Sequence, residues 1–460
     1  PPRSTLFPYT TLFRSMDNFI SDLTNDLFEV DNNLEIINLE EQLQPAFLIS
    51  EKSNNPLIKW QVYFQCLALF AFEEWLQERE PRLTLDKENS STLQYQYANL
   101  IDAVFNLKVG NFKVCLIPCM LLTNEEVAIP RAVIDLPEYT AHFYVVIGVD
   151  EELEIAAVKG LLRYDQLINI KAELEPEADW NYYIPLLQFN QEVDELLLYL
   201  QCLAPTAILL PEIPVSRRDI LRKVQTSLLN LLPQLNNRPL WEVLTWEQGK
   251  AVLTTPLLLN WVYQSINQNA ATLTKHLSDL LEILSQQAVN VGLWFVNQID
   301  DTVQTLSWQL IPAASELRST SSMIQSDTSN YIEELEIILR DIQFQEQQLD
   351  IPLTAIRVYQ DIRLNQLLRL YAVIWSLPEA ENGWNLLLIL KASNDNQSAS
   401  SFRLRVSDQI EVLDEQELII SNNNYIYTQV EGDESDKFIA TVISGTGETQ
   451  TFPPFEFIRE

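Results

Sequence analysis

The sequence predicts an α+β multidomain chain: an N-terminal α+β domain, a mainly helical middle region and a C-terminal antiparallel β-sandwich. Three observations lead there. At 460 residues the chain is long enough for about three domains of roughly 150 residues each. Apolar residues recur at helical spacing near the N-terminus and through the middle. After Pro352 the period falls to two, the alternation of a strand with one buried face. A hydrophobic share of 47% with 20% charged residues is that of a globular chain and rules out wholesale disorder.

Residues 1–15, PPRSTLFPYTTLFRS, hold a near-repeat, Ser4-Thr5-Leu6-Phe7 and Thr10-Thr11-Leu12-Phe13, which resembles a translated sequencing adapter. They are set aside as a non-native leader, with Met16 as the expected start. No basic run or long apolar run follows Met16, so no secretory signal is expected. The most apolar stretch, Val62–Phe72, ends at Glu73 and Glu74 after eleven residues, short of the ~20 that span a membrane. The expectation is a soluble, cytoplasmic protein with no membrane partner.

Residues 16–204 read as the α+β domain. Trp60, Phe64, Leu67, Ala68, Ala71, Phe72 and Trp75 form one face of a helix from Pro56 to Arg79, with Pro56 in the first turn and Pro81 closing it. Strand-like runs follow at Phe112–Ile117, Val127–Ile134, Phe143–Val149 and Ile155–Leu162, with Asp150-Glu151-Glu152 turning between the last two. Val193–Leu200 returns to helical spacing. Prolines then punctuate Pro205–Pro214 and open the middle region, 205–350. Asp219–Leu232, Pro256–Asn267, Ala271–Gln287 and Tyr331–Leu349 carry helical periodicity there. Asn330 and Glu333 resemble a capping box, and Glu316–Asn330 reads as a Ser/Thr-rich surface loop. Strand-like stretches lie around Trp294 and Trp308.

Residues 351–460 give the sandwich. Strand candidates are Ala355–Tyr359, Leu368–Trp375, Trp384–Lys391, Phe402–Val406, Leu418–Ser421, Tyr425–Val430, Phe438–Ile443 and Phe452–Phe457. Turn residues separate them at Glu381-Asn382-Gly383, Asn394-Asp395-Asn396, Asn422-Asn423-Asn424 and Gly445-Thr446-Gly447. No repeat of 20–50 residues is visible, which argues against a solenoid.

The tract Trp60-Gln61-Val62-Tyr63-Phe64-Gln65-Cys66-Leu67-Ala68 with Trp75-Leu76-Gln77 resembles the start of the cyanobacterial family catalogued as domain of unknown function 1822. Leu107–Pro118, Glu138–Ile147 and Lys159-Gly160-Leu161-Leu162 are similar to the same family. So are Arg369–Trp375, Leu404–Gln409 and Pro453-Pro454-Phe455-Glu456-Phe457 near the other end. The resemblance covers nearly all of the chain after Met16 and is weakest across the helical middle. It implies a cyanobacterial cytoplasmic protein whose relatives' genes tend to sit near regulatory genes. It brings no catalytic, cofactor-binding or metal-binding residue with it.

The chemistry the residues themselves allow is narrow. Nine Gly in 460 residues is far below the usual ~7%, and the one Gly-x-Gly, Gly445-Thr446-Gly447, lies between late strands where a hairpin explains it. No phosphate-cradling loop or dinucleotide fingerprint is present. Cys66, Cys115, Cys119 and Cys202 sit in apolar surroundings; Cys115 and Cys119 have Cys-x3-Cys spacing, and only His142 and His276 are available to complete a zinc site. Small buried hydrophobes are the simpler reading. If Cys115 and Cys119 lie on one strand their thiols share a face, and a pairing of either with His142 is the one conceivable nucleophilic arrangement. His276, among Lys275, Leu277 and Leu280, reads as a packing or surface residue.

Acidic clusters at Asp150, Glu151, Glu152 and Glu154 and at Asp433, Glu434 and Asp436 lack EF-hand spacing and read as solvated turns. Arg217, Arg218, Arg222 and Lys223 form an isolated cationic patch that pairs internally or faces an acidic partner. Trp241, Trp246, Trp261, Trp294, Trp308, Trp375 and Trp384 read as core or inter-domain packing, with an interface as the other possibility.

Lys and Arg number 30 against 64 Asp and Glu, a net charge of −34. Such a surface repels nucleic acid and anionic membranes and attracts basic partners at long range. The expected function is therefore a non-enzymatic interaction or regulatory protein, acting through an acidic surface on a basic or regulatory protein partner, with no cofactor. The alternative is an enzyme of unknown class using Cys119 with His142, or carboxylates. A third reading has the sandwich binding a ligand or peptide at an exposed edge strand or groove.

Overall fold

The computed structural model describes residues 35–458, apart from 53–55, 99, 123–124, 236–237, 268–269, 297–307, 312–325, 347–348, 378–382, 393–400 and 420–424. The expected leader and start at Met16, the Asn394 and Asn422 turns, Glu381-Asn382 and most of the Ser/Thr-rich loop lie outside the described residues. The chain divides into two compact units, Pro1–Arg217 with Gln234–Gln268 and Arg218–Pro233 with Asn269–Glu460. Both carry helices and strands, so the chain is α+β. Among the described residues no helix is long and apolar enough to cross a membrane.

The first unit is built on a mixed sheet covered by helix α1, Pro56–Arg79. Its strands are β1 (Ile37–Asn38), β2 (Leu85–Asp86), β3 (Val104–Val109), β4 (Phe112–Met120), β6 (Phe143–Asp150) and β7 (Ile155–Arg163), with β5 (Glu126–Pro130) between them in the chain. The order is β1-β7-β6-β4-β3-β2, and only the central β4–β6 pair is parallel. The edge strands β1 and β2 are two residues each, which leaves little unpaired backbone to recruit another chain. Val62, Leu69, Phe72 and Leu76 of α1 share one apolar cluster with Val114, Leu116, Val145 and Ile147 of the central strands. Of the face read from the sequence, Leu67, Ala68, Ala71, Phe72 and Trp75 are buried but Trp60 is 39% exposed, so the helix is apolar on more than that one side. Strand alternation then turns Cys115, Ile117 and Cys119 to the opposite face.

The crossover from β4 to β6 corrects one expectation. Val127–Ile134 is not one strand: β5 ends at Pro130 and Arg131–Asp135 is helical. Proline cannot extend the ladder past that point, and Arg131 Nε to Asp135 Oδ2 at 2.8 Å holds the single helical turn. β5 pairs with β8 (Asn181–Pro185) in a separate two-stranded sheet. The helices Leu240–Val243, Trp246–Leu253 and Pro256–Asn267 complete this unit. Thr245 starts the second of them with a capping box, its Oγ1 accepting from the Gln248 amide while Gln248 Oε1 accepts from the Thr245 amide at 2.8 Å.

The second unit takes helices α2 (Arg218–Leu231), α3 (Ala270–Ser285) and α4 (Ser326–Gln345). The helices expected in one middle region are thus divided between the units. The start of α4 at Ser326 places Asn330 inside the helix, so the Asn330–Glu333 pair is not a cap, and the loop expected to reach Asn330 ends earlier.

The strands of this unit are β9 (Val289–Asn290), β10 (Gln309–Leu310), β11 (Ile356–Leu364), β12 (Gln366–Ser376), β13 (Trp384–Ala392), β14 (Ser401–Ser407), β15 (Val412–Ile419), β16 (Tyr425–Gly432), β17 (Lys437–Ser444), β18 (Thr449–Thr451) and β19 (Phe455–Glu456). One sheet runs β10-β11-β12-β13-β16; the other runs β15-β14-β17-β19-β9, with β18 hydrogen-bonded to β17. All their pairings are antiparallel except β19 with β9. Leu386, Leu388 and Leu390 of the first sheet and Leu404, Val406 and Val442 of the second belong to one apolar cluster.

The remaining face of the first sheet is covered by α4. Leu335, Ile338, Leu339 and Ile342 meet Tyr371, Val373, Leu387 and Ile389. Beside that seam, Glu334 accepts from Tyr371 Oη at 2.9 Å and pairs with Lys391, while Arg357 pairs with Glu336. On the second sheet, α3 is fixed by Asp279. Its carboxylate takes Arg405 Nε and Nη2, both at 2.8 Å, Ser407 Oγ at 2.6 Å and Thr441 Oγ1 at 3.3 Å.

Candidate functional site

The first residues to place are the two thiols and the imidazole. Cys115 and Cys119 do lie on one strand, β4, facing one way. His142 precedes β6 and is bound at the other end of that strand. Its amide donates to Lys113 O at 3.0 Å, and its Nδ1 accepts from the Lys113 amide at 2.9 Å. Cys119 is opposite Gly148, and its six-residue separation from Lys113 along the strand is ~20 Å. The pairing of Cys115 or Cys119 with His142 requires neighbouring strands, and β4 and β6 are neighbours, but the parallel register keeps Cys119 and His142 apart. Burial, and then the Lys113 charge, hold His142 below its usual range, so the ring is neutral and its Nδ1 is occupied. Cys115 is fully buried, and burial raises its thiol far above the usual value.

Cys119 has a neighbour the sequence did not reveal. In β7, Val158 pairs with Ile147 and Gly160 with Val146, so Lys159 is the extra residue of a bulge. Its buried ammonium donates to Leu121 O at 2.6 Å. The side chain crosses Gly148, where an added Cβ would lie 2.7 Å from Lys159 Cδ. The Lys159 charge favours the Cys119 thiolate, but burial outweighs it and pushes the thiol up to about 11. At neutral pH only about one thiol in ten thousand is then ionised. This pair is poorly suited to nucleophilic chemistry.

Near the short helix, Asp135 gathers Arg131, Lys171 and the Tyr182 hydroxyl, the last at 3.3 Å. The Arg131 guanidinium stacks over Trp246 at 4.3 Å, and Trp180 meets Trp246 edge-on at 5.2 Å. Trp180 sits at φ 61°, a costly conformation for a side chain of its size. Gly249 makes the contact possible, since a Cβ there would lie 2.0 Å from the indole. Asp135, Arg131, Lys171 and the Tyr182 hydroxyl partner one another within the unit, and the cluster reads as a joint holding Trp246–Leu253 to the segment that leads into β8.

The cationic patch separates as well. Arg217 makes a bidentate pair with Glu138, 2.7 and 3.0 Å from its two oxygens. Arg222 donates to Ser285 O at 3.2 Å, tying α2 to α3. His276 is buried on α3 with Nε2 3.0 Å from Asp408 O. The acidic turns hold their own backbone: Asp150 accepts from the Leu153 amide, and Asp433 from the Ser435 amide and hydroxyl. Burial pushes Glu151 up, with the Tyr63 hydroxyl opposing and neighbouring carboxylates adding to the shift. Among the described residues no group of three or more His, Cys, Asp or Glu is arranged to hold a metal ion. Gly445 and Gly447 form the β17–β18 hairpin, Gly447 at φ 91°. Trp261, Trp294, Trp308, Trp375 and Trp384 are buried, Trp246 is half-buried and Trp241 is exposed.

One region of the second unit is not consumed in this way. β15 stands at the end of its sheet and pairs only with β14 among the described residues. Leu418 turns inward, leaving Glu415, Glu417 and Ile419 on the outer face. Glu415 is matched by Arg403 at 2.7 Å and Lys275 at 3.5 Å, and Asp414 by Thr428 and Gln416. Glu411 and Glu417 are exposed and have no ion-pair partner among the described residues. Between and beside them Ile410, Leu413 and Ile419 are 63%, 38% and 42% exposed. The sequence expected a strand only from Leu418, because Val412–Glu417 lacks the apolar alternation of a strand with a buried face.

A family model described as "Protein of unknown function (DUF1822)" matches residues 37–453. The chain belongs to that family. No curated protein matches the sequence.

Proposed function

With that membership as premise, we propose that this chain is a non-enzymatic interaction or regulatory protein that engages a basic protein partner through its acidic surface. The observation that carries the reading is β15, which pairs only with β14 among the described residues. Glu417 on it and Glu411 just before it are exposed with no ion-pair partner among those residues, and Leu413 and Ile419 lie open beside them. An excess of 34 negative charges adds long-range attraction to a basic surface. The reading includes a face-to-face sandwich for the two sheets, supported by their shared apolar cluster, and a place in the cyanobacterial cytoplasm.

The test is capture of a partner by the full chain, repeated with Glu411→Lys and Glu417→Lys together. A basic protein retained by the natural sequence, released with rising salt and lost with the variant, is the expected result. Retention of the same proteins by both forms sinks the reading.

A further inference from the structure

We propose that β15 is a strand-addition site, where an extended, basic segment of a partner protein pairs with the backbone of Glu415–Ile419. The inference rests on the reading above and adds the shape of the partner to its charge.

The backbone argument comes from register. Val406 pairs with Asp414 but Ser407 with Val412, so Leu413 is bulged out of the ladder. Beyond the bulge the pairing is regular from Asp414 to Ile419, six residues or ~20 Å. One flank of that stretch bonds to β14; among the described residues no strand is hydrogen-bonded to the other, although Thr428 of β16 holds the Asp414 carboxylate. The backbone from Glu415 to Ile419 is therefore the part that an incoming strand would pair with.

Charge selects the occupant. A strand laid along this edge meets Glu417 within the ladder and Glu411 before it, both exposed and neither in an ion pair among the described residues. Lys275 of α3 already reaches Glu415 on the same face, which shows how a cation sits against this strand. Cross-strand pairs of opposite charge are favourable and like pairs are not. A second copy of the chain, edge to edge, would set carboxylates against carboxylates. A basic segment with apolar residues between its cations would match both the glutamates and the exposed Leu413 and Ile419.

The probe is a fluorescein-labelled ten-residue peptide alternating Lys and Val, titrated against the full chain at low salt. Two companions share its length: one alternating Glu and Val, and one Lys–Val peptide N-methylated at every second residue so that one edge cannot hydrogen-bond. The expected result is binding of the Lys–Val peptide, with at least about tenfold loss on N-methylation and slower amide exchange confined to Glu415–Ile419. Glu411→Gln with Glu417→Gln, both at exposed positions, should weaken binding by roughly fivefold. Equal binding of the N-methylated peptide overturns strand addition while leaving the acidic-surface reading standing. Failure of every Lys-containing peptide to bind overturns both.

Discussion

Replacing Asp279 by Ala should destabilise the second unit severely, and the reason can be worked through from its four bonds. Its side chain is 2% exposed and that of Arg405 is 9% exposed. Removing the carboxylate leaves a guanidinium buried without its charge partner, together with the hydroxyls of Ser407 and Thr441. Breaking a buried pair from one side costs about 3–5 kcal/mol. In a unit of about 200 residues each kcal/mol shifts the midpoint by ~2–4 °C, so a fall of roughly 10 °C is expected. Calorimetry reads the midpoint. Because two units need not unfold together, hydrogen exchange in α3 and β14 should locate the loss. The double replacement Asp279→Leu with Arg405→Met removes both charges and should recover most of the stability. A single variant losing under about 1 kcal/mol, or a double variant as unstable as the single, would refute the reasoning.

Two further outcomes follow from the first unit and the thiols. Native labelling at pH 7.5 should modify exposed Cys202 rapidly and Cys119, with its thiol near 11, far more slowly, while Cys66 and Cys115 stay protected until unfolding; equal rates for Cys119 and Cys202 would contradict the burial described. His142 is held below its ordinary pKa, so its contribution to stability is present above about pH 6.5 and is lost as acidification protonates the unfolded chain first. Denaturant midpoints at pH 7, 6 and 5 should therefore fall more steeply for the natural protein than for His142→Asn, by up to ~1.4 kcal/mol per pH unit; parallel curves would sink this.

Much of the fold is legible because burial imposes a period. The helix at Pro56–Arg79 and the strands β6, β7, β12, β13 and β17 emerge within one or two residues of their sequence-based bounds, each having a strongly apolar face. The misses share a cause. In β15 one inward apolar residue, Leu418, leaves too weak an alternation to mark the strand, and the same polarity makes the edge available. Arg131–Ile134 reads as a continuation of the strand because Ala, Val and Ile suit either state; Pro130 ends the ladder and the ion pair across one turn favours the helix. The Cys119–His142 idea depended on strand register, which no local pattern encodes. Lys159 and Asp279 are buried charges whose partners lie 38 and 126 residues away, so the sequence alone gives no sign of them.

The path of the chain also bears on how the protein is made. Residues 218–233 belong to the second unit, yet the chain returns to finish the first before residue 269. On the ribosome α2 therefore emerges with Leu221 and Leu228 uncovered, while Gln225 waits for Glu282 and the strands that anchor α3 follow more than a hundred residues later. At ~5–20 residues per second that delay lasts many seconds. A nascent helix with an open apolar stripe is a natural client for a holding chaperone, and neither unit can be released by a single cut between codons.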